Sequence, residues 1–425
     1  MEKIIEIKRI PRIEGHLDFD VKITNNQVLY AHAKAVEGTR ILEKILIGKN
    51  YWEVPEITSR MCGVCHAIHK LTAVQAIENA FNLEVPEDAI LIRKLIAIGG
   101  HIQSHLLHLH FFVLPDCFDV ESILDLININ RELVLKVIKL KKFSNDIIER
   151  LGGTMVHPIV PIVGGLSRPP RKSTLLRIKE NLNEMKKLAI PIVDAIFNAR
   201  FPKFERRTNY IALCDEKSIP LLNGFIASSN GLKFKPSEYL KYFIRKKESY
   251  STALHYLLMN DESYMVGALS RLNINFRYLT DQAKEFCKKY NIKFPMYSPF
   301  ANNIAQALEI IHFLNETEEI LANLIGKKQI DYYTNFIPKA GDGVAATEAP
   351  RGLLIHHYRT DRDGRVVWAN IITPTAQNLK NMEIDGINFV KALLGKTNNI
   401  KKEVEKLVRS YDPCISCAAR FYREE

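Results

Sequence analysis

Cysteine is scarce in this chain: seven residues among 425, an odd number spread from one end to the other. That scarcity excludes a disulfide-framed scaffold and fits a reducing compartment in which thiols are free or metal-bound. Long apolar runs are missing too. The most apolar segment, AILIRKLIAIGGHIQSHLLHLHFFVL, is broken by Arg93, Lys94 and four histidines. It falls short of the about 18 uninterrupted apolar residues of a membrane span and reads as a helix surrounded by protein. The opening MEKIIEIKRIPRIEGH carries charges through its apolar stretch, unlike a secretory signal, so a cytoplasmic location is expected. Arginine-rich arms and basic stripes interleaved with aromatics are also lacking. The +11 net charge arises from 59 Lys and Arg against 48 Asp and Glu, scattered as pairs and triplets. Such scatter reads as solvated helix faces, and no nucleic-acid partner is expected. Walker loops and G-x-G-x-x-G fingerprints for nucleotides are absent as well.

What is there is dominated by helical spacing. Helices are expected at 66–81, from Pro86 through the long apolar segment, and at 121–151, 173–200, 236–258, 279–290 and 301–326. LDFDVKI, TNNQ and VLYAHAKAV read as a hairpin over 17–36, and TDRDGR as a hairpin turn between LLIHHY and VVWANIIT. The fold class is therefore α+β and predominantly helical. A central buried helix bundle is expected, with small sheets near the N-terminus and in the C-terminal third. No repeat or linker divides the chain, which reads as one interleaved unit. Its parts are an N-terminal hairpin region (1–50), a helical core (60–330), a mixed part (331–420) and a short tail (421–425).

The segment RMCGVCHAIH at 60–69 holds a C-x-x-C pair, Cys62 and Cys65, and the only other such pair is Cys414 and Cys417 in DPCISCAAR. Two pairs make a four-thiolate site, and structural zinc is the ordinary reading of such clips. Zinc ribbons, however, draw both clips from a compact unit, typically about 15–20 residues apart. Here they come from opposite ends of a large chain. A site that ties those ends together lies at the centre of the fold, where a functional metal becomes the competing reading.

These two cysteine segments resemble the signatures of the large, catalytic subunit of nickel–iron hydrogenases. The similarity extends to RIEGH at 12–16, RILEKILIGK at 40–49, SHLLHLHFFVLPD at 104–116, YMVGALSRLN at 264–273, APRGLLIHHY at 349–358 and TPTAQN at 373–378, in the family's order. APRGLLIHHY and NNIAQALEIIHFL most resemble the cytoplasmic multi-subunit branch of coenzyme-reducing, heterodisulfide-reductase-linked and sulfhydrogenase enzymes. The resemblance implies reversible heterolytic cleavage of dihydrogen at a nickel–iron centre. Cys62, Cys65, Cys414 and Cys417 would bind nickel, with Cys65 and Cys417 bridging to an iron completed by carbon monoxide and cyanide. Soft thiolates suit both metals. Cys414 and then Glu14 would accept the proton, since a buried carboxylate can be tuned for relay. Arg351 would lie over the open metal position, held by Asp116 and Asp412. Thr375 and the backbone after Pro374 would hydrogen-bond the cyanides, and His69 would donate to the sulfur of Cys65. The histidines at 66, 105, 108 and 110 read equally well as core residues.

With four cysteines committed to nickel, Cys117, Cys214 and Cys287 are too few and too scattered for an iron–sulfur cluster. Electrons must therefore leave through a small subunit carrying such clusters, with further electron-transfer subunits beyond it. A maturation protease and nickel-insertion proteins are implied as partners, and residues 421–425 would be cut away once nickel is in. Most relatives place a histidine at the position of Arg420, binding a magnesium-like ion together with a carboxylate at the position of Glu43. A guanidinium offers only donors, so an Arg420–Glu43 ion pair is expected in place of the ion. Two other readings remain: a silent relative of the quinone-site subunit of respiratory complex I, or a zinc-stabilised interaction protein.

Overall fold

The computed structural model of the chain describes residues 2–37, 41–397 and 399–419. Strands β1 (Glu2–Ile7), β2 (Leu17–Thr24) and β3 (Gln27–Ala35) form an antiparallel sheet in that order. The last two are the hairpin expected from the alternation. Its turn uses Asn25 and Asn26 at φ of 49° and 63°, left-handed values that asparagine accepts more readily than most residues. β1 escapes the alternation test because Ile4 and Ile5 are adjacent, and Ile4 is left exposed.

Short helices α1 (Leu42–Leu46) and α2 (Glu53–Ser59) lead to the first cysteine pair, and α3 (His66–Phe81) begins directly after it. α4 (Glu87–Leu106) starts at the predicted Pro-Glu-Asp signal. It runs on into a π-helical segment, Leu107–Val113, and the single turn α5 (Leu114–Cys117). α6 (Ile123–Gly152) is opened by a reciprocal cap: the Ser122 hydroxyl accepts from Asp125 N, and the Asp125 carboxylate accepts from Ser122 N. A small ribbon, β4 (Pro161–Ile162) and β5 (Gly165–Leu166), precedes α7 (Lys172–Phe197).

The expected helical core then departs into sheet. β6 (Asn209–Cys214), β7 (Phe225–Ser228) and β8 (Lys233–Phe234) are antiparallel neighbours, β9 (Phe243–Lys247) pairs with β10 (Leu254–Leu258), and β11 (Tyr264–Met265) lies parallel to β6. The stretch 236–258, expected as helix, is a 3-10 turn at Pro236–Lys241 followed by the β9–β10 hairpin. Its aromatic and branched residues satisfy either period, and cross-strand pairing decides for sheet.

Next come α8 (Ala268–Asn275), α9 (Asp281–Lys289) and the long α10 (Ala301–Gly326), the last with the predicted bounds. β12 (Gly341–Ala349), β13 (Gly352–Thr360) and β14 (Val366–Ile372) form a second antiparallel three-stranded sheet. α11 (Pro374–Leu393), α12 (Ile400–Ser410) and the one-turn α13 (Ile415–Ala418) complete the described chain.

The predicted central bundle is α4, α6, α7 and α10: α4 packs on α6 and α10, and α7 packs on the same two. α10 is buried on nearly all sides, which is why its apolar residues show no single stripe. α3 lies across β12 and β13. Glycine permits that approach, since a Cβ at Gly343 would sit 2.1 Å from Ala76 O. No helix among the described residues is long and apolar enough to cross a membrane.

Two contacts draw distant segments to the centre. The backbone of the RIEGH segment pairs with the last cysteine motif, Ile415 N donating to Glu14 O at 3.0 Å. On the other side, Gly352 has φ of 125°, and a Cβ there would lie 2.6 Å from Gly267 N. The loop carrying Arg351 therefore presses directly against the start of α8.

Candidate metal centre

The four paired cysteines meet. Cys62 Sγ lies 3.4 Å from Cys414 Sγ, and Cys65 Sγ lies 3.3 Å from Cys417 Sγ. All four sulfurs fall within 4.8 Å of one another, and all four residues are buried. Thiolates about 2.3 Å from a transition-metal ion span such a distance, so the donor set fits a soft metal. Each clip sits at a helix start: Cys65 immediately precedes α3, and Cys414 precedes α13, which contains Cys417. The α3 N-terminus favours thiolate nearby.

The thiols are not equivalent. Hydrogen bonds from the other thiols, led by Cys414 and aided by the Arg351 charge, hold Cys62 well below the usual thiol range. Burial, and then hydrogen bonds shared with the other three, push Cys414 well above it. The other cysteines lie apart as ordinary thiols: burial raises Cys214 and Cys287, and pushes Cys117 up to about 12.

Glu14 stands beside the second clip. Its carboxylate accepts from Ser416 N at 3.2 Å and from the Ser416 hydroxyl, and that hydroxyl oxygen lies 3.9 Å from Cys414 Sγ. Ser416 therefore stands between thiol and carboxylate, a residue that carries no separate signal in the sequence beyond its place inside the clip. Glu14 is not paired with its neighbour Arg12, whose guanidinium goes to Asp116 and Phe112 O.

Arg351 is buried, with Nε 2.8 Å from Asp412 O and 3.1 Å from Asp412 Oδ1. Nη2 also lies 2.9 Å from Oδ1, but off the line of a hydrogen bond, and Nη1 has no acceptor among the described residues. A buried guanidinium with spare donors beside thiols that its charge influences is suited to a ligand-facing role.

Asp116, expected to share Arg351, does not. Its carboxylate is filled by Arg409 (Nε to Oδ2 at 2.7 Å, Nη2 to Oδ1 at 3.0 Å) and by Arg12. With both oxygens engaged, it anchors the segment that carries Glu14. His69 reaches from α3 to α13, its Nε2 lying 3.6 Å from Cys417 Sγ. Its Nδ1 is 3.2 Å from His356 Nε2, and His356 Nδ1 is 2.6 Å from the Tyr358 hydroxyl. Thr375 Oγ1 accepts from Cys414 N at 2.9 Å, in the first turn of α11 opened by Pro374. Glu43, on half-buried α1, accepts from Ile371 N at 3.1 Å. Arg420 and the tail 421–425 lie outside the described residues.

The histidines at 66, 105, 108 and 110 are core residues with partners. His66 accepts from His157 N and is pushed down to about 4 by burial. His105 bonds to Glu309, His108 to Gln306 and Arg409 O, and His110 to Ile192 O.

Fold and site together define a metalloprotein whose two chain ends close a four-thiolate cage inside a helical bundle. The family described as nickel-dependent hydrogenase matches residues 40–151 and 231–420. The alpha chain of sulfhydrogenase 2 from Pyrococcus furiosus is 33% identical over 422 residues, covering 99% of this chain and 100% of that one. A chain of the vhu F420-non-reducing hydrogenase from Methanocaldococcus jannaschii is 30% identical over 411 residues, covering 90% and 97%. Among solved structures, an NAD+-reducing [NiFe]-hydrogenase in the H2-reduced state superposes with a TM-score of 0.88 at 24% identity, covering 98% and 99%. The chain belongs to the nickel-dependent hydrogenase family, in which it is the catalytic subunit.

Proposed function

We propose that this chain cleaves dihydrogen reversibly into protons and electrons at a nickel–iron pair held by Cys62, Cys65, Cys414 and Cys417. In this reading the four cysteines would hold both metals, and carbon monoxide and cyanide would complete the iron. When bound, the pair supplies the redox-active open position at which dihydrogen splits heterolytically. The observation that carries the reading is the convergence of the four sulfurs within 4.8 Å from opposite ends of the chain.

The chain's own groups handle the proton. Cys414 accepts it, the Ser416 hydroxyl spans the gap, and Glu14 passes it outward; geometry of this kind suits general acid–base transfer. Arg351 holds a fixed positive charge over the site without giving up a proton. Thr375, which accepts from Cys414 N, keeps its own hydroxyl proton to donate to a cyanide. His69 donates to Cys417 and tempers its charge.

Electrons leave through an iron–sulfur small subunit. Gly63, between the buried Cys62 and Cys65, is exposed, as is Arg60 just before the clip, so the first clip reaches the surface. The relatives are themselves named as single members of multi-subunit enzymes, which supports a partner of that kind. Removal of residues 421–425 after nickel insertion, and an Arg420–Glu43 pair in place of a magnesium-like ion, belong to the same proposal. The test is isotope exchange: the purified complex should form HD from D2 in ordinary water. A nickel-loaded complex that forms none would overturn the reading.

A further inference from the structure

α10 buries an unusual set of polar side chains. Asn302, Gln306 and Glu309 are at most 2% exposed and recur at helical spacing on one face. Unpaired groups of this kind are costly to bury, so their partners reveal what the stripe is for. Asn302 Nδ2 donates to Ser410 O at 2.9 Å. Gln306 Nε2 donates to Asp412 Oδ2 at 3.0 Å. Glu309 accepts from Arg271 Nε at 2.6 Å and Nη2 at 2.7 Å.

Arg271 uses every donor it has. Besides the two bonds to Glu309, Nη1 donates to Glu348 at 3.0 Å and to Ala349 O at 2.9 Å, and Nη2 to Pro350 O at 3.0 Å. It therefore grips the two carbonyls immediately before Arg351. Asp412, gripped by Gln306, holds the Arg351 guanidinium. The backbone and the head of one residue are thus tied, by separate routes, to one face of one helix.

Behind Gln306 the bonding continues to α4 and its π-helical extension. Gln306 Oε1 is 2.6 Å from His108 Nδ1, and His108 Nε2 is 2.6 Å from Arg409 O. His108 thus ties the Gln306 amide back to the backbone of α12.

We infer that Gln306, Glu309 and Arg271 are positioning residues that set Arg351 over the cysteines, with His108 steadying Gln306 from behind. This rests on the reading that Arg351 acts at the metal centre. Bundles held only for stability do better with apolar residues at such positions, whereas a misplacement of about 1 Å at a reacting centre can cost roughly 100-fold in rate.

The experiment compares Gln306→Met, Arg351→Lys and the double variant in the purified complex, with nickel and iron content, melting temperature, kcat and KM for dihydrogen. Gln306→Met should keep parental metal content and lower kcat about tenfold or more with KM within about twofold. In the Arg351→Lys background it should cost nothing further, since both act through one group. Additive losses, or parental kcat in Gln306→Met while Arg351→Lys is impaired, would overturn the inference alone. Parental turnover in Arg351→Lys would instead overturn the reading on which it rests. If Gln306→Met does not fold, Glu309→Gln decides, since it keeps the shape but weakens the grip on Arg271: kcat should fall with metal content unchanged, and parental kcat would overturn the inference.

Discussion

Cys62 and Cys65 lead into a helix of 16 residues, whereas Cys414 caps a helix of four that contains Cys417. The first clip draws its order from α3, packed against α2, β12 and β13. The second has almost no helix of its own and borrows its bonds. Thr375 takes Cys414 N, Glu14 takes Ile415 N and Ser416 N, and the Thr373 hydroxyl donates to Cys417 O. The first clip lies next to the exposed Gly63, whereas the second is ordered by contacts with Glu14, Thr373 and Thr375.

The sharpest way to break this comparison is Cys414→Ser. An alcohol is neither soft nor ionised at neutral pH, so nickel content and hydrogen turnover should both fall to background. Normal nickel content with full turnover would refute a four-thiolate site. Glu14→Gln comes next. It preserves shape and the contact with Ser416 N but removes the proton acceptor, so turnover should drop about 100-fold or more while nickel stays bound. Turnover at the parental rate would send the proton elsewhere.

Ser416→Ala sharpens the same point with a smaller effect. Losing the hydroxyl between Cys414 and Glu14 should slow proton exchange about tenfold and leave metal content unchanged; an unchanged exchange rate would exclude the hydroxyl from the path. Smallest is Thr375→Val, which strips the acceptor from Cys414 N. It should lower the stability of the metal-free chain by about 1–2 kcal/mol in denaturant unfolding. The absence of any change would show that the second clip is ordered by its other contacts.

Much of this is legible in the residues, for physical reasons. Two C-x-x-C pairs in a chain poor in cysteine stand out because thiols have few structural uses inside cells. The bounds of α10 are readable because Asn-, Ala- and Leu-rich spacing runs unbroken from 301 to 326. Other features leave no local trace. The regular elements of residues 209–265 are mostly strands because aromatic and branched side chains fit both periods, and pairing across the chain chooses between them. Asp116 departs from expectation because neighbouring motifs do not say which of several guanidiniums a carboxylate will meet; Arg409 and Arg12 fill it. His69 reaches Cys417 because helix phase, unlike sequence distance, sets its direction. Ser416 and Gln306 are hidden by being ordinary residues in a clip and a helix, although the polar spacing of NNIAQALE is the available hint.

Metal analysis of the purified, active enzyme tests the central claim most directly, because it asks what the joined ends of the chain hold. Nickel and iron should be present in equal amounts per chain, both lost together when Cys414 is replaced. Zinc alone at the site, or stoichiometric nickel and iron retained in Cys414→Ser, would contradict it.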